Sequence, residues 1–97
     1  MSVTNAEQAY TSLANSQVPA HLHDGIVDYV IFGQEPGDFL RAVLNNDLFR
    51  SVAQADAESL DGLPAVVAWI YNNAPARCHG SPENVLTWVL HNGLTPG

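Results

Sequence analysis

Residues 60–71 read LDGLPAVVAWIY, and within them Leu60, Leu63, Val66, Val67, Ile70 and Tyr71 recur at helical spacing. This is the strongest apolar face in the chain. Pro64 interrupts it. Either the helix begins late, capped by Asp61 with Pro64 in its first turn, or it is kinked there. Asn72-Asn73-Ala74-Pro75 ends it.

Towards the C-terminus, Ser81-Pro82-Glu83 supplies a serine cap, a proline at the first helical position and an acid in the first turn. Val85, Leu86, Trp88 and Val89 follow, and Gly93 closes that helix; the tail 94–97 is expected to fray. Towards the N-terminus, Asp56 can cap the segment leading into residues 60–71, and Asp47 can cap a short helix carrying Leu48, Phe49, Val52 and Ala53. Glu35-Pro36-Gly37-Asp38 is a tight turn, with Asp38 a candidate cap, into a helix lined by Phe39, Leu40, Val43 and Leu44. Val18-Pro19 opens a helix with Leu22, Ile26, Tyr29 and Val30 in register and Gly33 as its stop. Thr4-Asn5-Ala6-Glu7 fits a capping box for a first helix over about residues 5–15.

No segment alternates polar and apolar residues over a strand's length; Val27 to Phe32 continues a helical stripe instead. The pattern predicts one all-α domain over residues 1–97, built from five to six short helices that turn sharply on one another. Its expected core comprises Ile26, Val30, Leu40, Val43, Leu44, Val52, Val66, Val67, Ile70 and Val85. Trp88 falls in register with that core, whereas Trp69 suits either core or contact. A charge placed at Val67 is expected to be buried and strongly destabilising.

The chain contains no lysine; Arg41, Arg50 and Arg77 stand against ten carboxylates, for a net charge of -7. The summed field repels phosphate backbones and favours basic protein surfaces, so direct nucleic-acid binding is not expected. Cys78 is the single cysteine and excludes an internal disulfide. The N-terminus lacks the basic region and apolar run of a signal peptide, and no apolar stretch approaches the ~20 residues of a bilayer span. A cytoplasmic protein with no membrane association is expected.

Cys78-His79 with His21, His23 and His91 raises the question of a metal. His21 and His23 on one helix point about 200° apart and cannot chelate together. Adjacent Cys78 and His79 diverge likewise, so neither metal nor other cofactor is expected. Cys78 lacks an evident base and orienting group, and no nucleophile elbow or phosphate cradle is present, which disfavours an enzyme.

Asp24 and Asp28 share one helix face, with Glu35 and Asp38 in the turn that follows. No lysine offsets them. These four form the expected partner-binding surface, with Asp47, Asp56, Glu58 and Asp61 as the next candidates.

The strings GQEPGDFLRAVLNNDL (residues 33–48) and YNNAPARCHGSP (residues 71–82) carry a resemblance. From Pro19 to Trp88 the chain resembles a group of short phage- and prophage-encoded acidic proteins, most of them without assigned function; residues 1–17 fall outside it. Size, acidity and the phage setting are also similar to those of anti-CRISPR proteins. The resemblance implies counter-defence: binding a bacterial type I crRNA-guided surveillance complex in the host cytoplasm and blocking its access to target DNA. Its alternative is a phage accessory or regulatory protein-interaction module unrelated to CRISPR.

Overall fold

Seven α-helices and two 3-10 turns make up residues 2–94, the residues described by this computed structural model, and no strand occurs among them. The helices are α1 (Ala6–Ala14), α2 (His23–Phe32), α3 (Asp38–Leu44), α4 (Leu48–Gln54), α5 (Ala57–Asp61), α6 (Leu63–Asn73) and α7 (Pro82–Leu90). The 3-10 turns, Ala20–Leu22 and Ala76–Cys78, precede α2 and α7. The expected fraying of the tail lies, beyond Leu94, outside the described residues.

The count exceeds five to six because the segment after Asp56 divides at Gly62. A Cβ there would stand 2.4 Å from Pro19 Cγ, so the chain is pinched against the start of the α2 region. Helix α6 therefore starts late, with Gly62 rather than Asp61 at its cap and Pro64 in its first turn. Three expected caps form: Asp47 accepts from Arg50 N at 3.0 Å, Asp56 from Ser59 N at 2.7 Å and Ser81 from Asn84 N at 3.1 Å. Two differ. Asn5, not Thr4, caps α1 by accepting from Gln8 N at 2.8 Å, while the Thr4 backbone and hydroxyl both donate to Gln8 Oε1. Gly37 caps α3, and Asp38 sits in its first turn, where its charge meets the helix dipole.

Helix α2 runs through the centre. Tyr29 is fully buried and its hydroxyl donates to the Cys78 carbonyl at 2.6 Å. Trp88 of α7 donates its indole N–H to the carbonyls of Tyr29 and Val30, at 2.9 and 3.2 Å. Trp69 of α6 is core, its indole N–H donating to Ser12 of α1 at 2.9 Å. Tyr29, Trp69 and Trp88 thus each bring apolar area inside and satisfy their polar atom.

Seven of the ten expected core residues are buried: Ile26, Val30, Leu40, Leu44, Val66, Ile70 and Val85. Val43 is partly buried against them. Val52 and Val67 are not core; both are about half exposed, so the expectation that a charge at Val67 would be buried is overturned. Helical periodicity locates a stripe, but the stripe of α6 is wider than the surface available to cover it.

Candidate functional site

The four acids expected to bind a partner run along α2 and past its C-terminal end, where Gln34 N donates to the Asp28 carbonyl at 3.1 Å. Asp24 and Asp28 lie one turn apart on α2, beside Tyr10 of α1. Tyr10 donates its hydroxyl to Asp24 Oδ1 at 2.6 Å. That bond above all, with burial and the charges of Asp24 and Asp28, pushes the Tyr10 phenol up to about 12. Asp24 therefore also fastens α1 to α2. Glu35 and Asp38 are exposed beyond the opposite end of α2. Glu35 is not without a cation: its Oε2 lies 3.7 Å from the Arg41 guanidinium.

The sulfur and imidazole chemistry is placed in separate surroundings. Cys78 is fully buried, and burial raises its thiol to about 12, where almost no thiolate exists at neutral pH. Among the described residues no three His, Cys, Asp or Glu side chains gather to hold a metal ion. A juxtaposition that sequence reasoning missed is His21, whose Nδ1 lies 2.7 Å from Glu58 Oε1 and whose Nε2 lies 3.0 Å from Ser59 Oγ. The connectivity is that of a serine–imidazole–carboxylate relay. Ser59, however, is only 3% exposed, and Asp56 engages it through both backbone and side-chain hydrogen bonds, which hold the Asp56 carboxyl below its ordinary range. A hydroxyl so enclosed meets no substrate. His21 instead clasps the Ala20–Leu22 turn to the start of α5.

A different surface stands out. On α4, Leu48 is 65% exposed and Phe49 is 87% exposed, while Ser51 faces inward and donates its hydroxyl to the Asp47 carbonyl at 2.6 Å. The helix carries its apolar stripe towards solvent and its small polar residue towards the protein. The cause is local. Only residues 45–47 join α3 to α4, with Asn46 left-handed at φ 64, so α4 folds back closely on α3. Across from Leu48, α6 turns out Val67, 49% exposed, and Tyr71, 78% exposed. Between them is a hollow of about 460 Å³, lined by Leu48, Val67 and Tyr71 together with Val43, buried Ile70 and His79. Burial lowers the His79 pKa and so favours its neutral form. The sequence signal for this surface was the intrusion of Ser51 into the Leu48–Phe49–Val52 stripe.

A second hollow of about 350 Å³ is lined by Arg77, Asn84, Thr87, Trp88 and His91. Arg77 lies over the Trp88 ring, 5.3 Å from its centroid, and caps the core indole. Comparison with protein-family models, curated proteins and solved structures finds no match to this chain. No helix of the described residues is long and apolar enough to cross a membrane.

Proposed function

We propose that the protein acts by binding another protein, with the apolar face of α4 and α6 supplying contact area and the carboxylate excess favouring a basic partner. One observation carries this reading: Leu48, Val67 and Tyr71 stand exposed around one hollow, with Phe49 exposed beside Leu48 on α4, on a chain of net charge -7. Contiguous exposed apolar surface disfavours the isolated molecule and is relieved on association.

The finer reading is phage counter-defence, for which the resemblance and the acidity are the support. The partner would be a type I crRNA-guided surveillance complex, whose DNA channel is necessarily basic, and inhibition would be steric and electrostatic, with no bond made or broken. Imitation of duplex DNA along the whole domain is not part of it. Duplex DNA carries one charge per about 1.7 Å of axis, a density that ten scattered carboxylates do not match. The test is a band-shift assay of reconstituted type I complexes with target duplex, with and without the protein. Loss of the DNA-bound band with wild-type protein, restored by Phe49→Ser plus Tyr71→Ser, is expected. Undiminished DNA binding across the type I subtypes would refute the counter-defence reading.

The second reading, an accessory or regulatory interaction module, is favoured by the exposed apolar side chains of Leu48, Val67 and Tyr71 around one hollow. It predicts a host partner whose binding persists at high ionic strength.

A further inference from the structure

Resting on the reading of the α4–α6 face as a docking surface, we propose that its groove takes a single amphipathic helix of a partner protein, apolar on one stripe and flanked by lysine or arginine, rather than a second copy of this chain. The shape argues for a helix. Leu48 of α4 lines the hollow together with Val67 and Tyr71 of α6, which are four residues apart and form an i, i+4 ridge along it. A third helix packs by laying its own ridge of the same spacing alongside such a ridge. Pairing by strand addition needs a sheet edge, and no strand exists among the described residues.

The charges argue for a cationic occupant. Asp47 lines the groove with the Arg50 Nε 3.6 Å from its carboxylate, so this pair adds little net charge and the chain's -7 sets the sign of the field there. A second copy would bring one chain of net charge -7 against another, which opposes self-association at low ionic strength. A lysine- or arginine-flanked helix meets the same field with the opposite sign.

The experiment uses three synthetic 18-residue helical peptides with one leucine stripe in common and flanks of lysine, glutamine or glutamate. Binding is read by fluorescence anisotropy at low and high salt, with amide chemical shifts to locate the contact. The expected result is tenfold or tighter binding of the lysine peptide over the glutamate peptide at about 50 mM salt, with the ratio shrinking at about 500 mM as screening shortens its reach. The shifts should centre on Leu48, Val67 and Tyr71. Tyr71→Ser and Leu48→Ser should each weaken binding at least tenfold with unchanged melting temperature. If the glutamine peptide binds in the groove but the lysine peptide is not preferred, the cationic occupant is refuted while the docking surface stands. If no peptide perturbs the groove, the docking surface itself falls. Concentration-dependent dimerisation in sedimentation, abolished by Tyr71→Ser, would overturn the proposal in favour of a second copy.

Discussion

Val66 and Val67 are adjacent on α6, yet Val66 has no exposed surface and Val67 lines the groove. Val66→Asp buries an unpaired carboxylate and should destabilise by several kcal/mol, about 3 or more, whereas Val67→Asp should stay within about 1 kcal/mol. Paired thermal melts check this, and equal losses would place both valines in the core. Cys78 should resist thiol reagents at pH 8 in the folded protein and react fully once denatured, because burial leaves it protonated. Cys78→Ser should cost about 1–3 kcal/mol by burying a hydroxyl, and leave partner binding intact. His79 gives stability a pH dependence. Its folded pKa lies below the unfolded value of about 6.5, so as pH falls through that value the unfolded chain takes up a proton that the folded chain resists. Stability contributed by neutral His79 is complete above pH ~6.5 and declines below it until the folded imidazole also protonates. Denaturant titrations at pH 7.5 and 5.5 should show a smaller decrease for His79→Gln than for wild type.

Among the elements, the chain just past the C-terminal ends of α2 and α7 meets backbone to backbone. Gly33 and Gly93 are both left-handed, with φ of 69 and 66, and a Cβ on Gly33 would come 2.3 Å from Gly93 N. This approach places Leu94 N 2.9 Å from the Ile31 carbonyl and lets Trp88 reach the carbonyls of Tyr29 and Val30. Gly33→Ala meets both a disfavoured backbone conformation and backbone atoms that cannot yield, so a loss above about 2 kcal/mol is expected. Gly37→Ala is the control, since nothing lies within 4 Å of its Cβ position and its φ is an ordinary -66. Chemical denaturation of the two variants separates them, and similar midpoints would show that the helix ends tolerate separation.

For the whole molecule, Asp24→Asn, Asp28→Asn and Glu35→Gln together remove three charges while keeping side-chain shape. Partner association should slow at low salt and lose part of its salt dependence, with little change in dissociation if the contacts are peripheral. Stopped-flow or surface-binding kinetics at several ionic strengths measure it. Unchanged association at low salt would exclude this patch and leave the apolar groove to carry recognition. Folding stability of the triple variant should change little. Relief of repulsion between Asp24 and Asp28 is offset by the altered bond from Tyr10 and the lost pairing of Glu35 with Arg41.

The helical character of the chain, most of its helix boundaries and the centre of its core follow from local chemistry written in the sequence. Caps at Asp47, Asp56 and Ser81, proline at the start of α7 and the periodic stripes of α2, α3 and α6 act within a few residues of chain. Which side of each stripe is covered does not. Periodicity specifies a face but not its neighbour, so Val52 of α4 and Val67 of α6 read as core although both stand about half exposed. His21 with Glu58 and Ser59, Arg77 over Trp88, and Tyr10 on Asp24 are likewise pairings between distant parts of the chain. The excess of negative charge was legible in composition; the exposed apolar groove beside it exists only because tertiary packing ran out of surface to cover it.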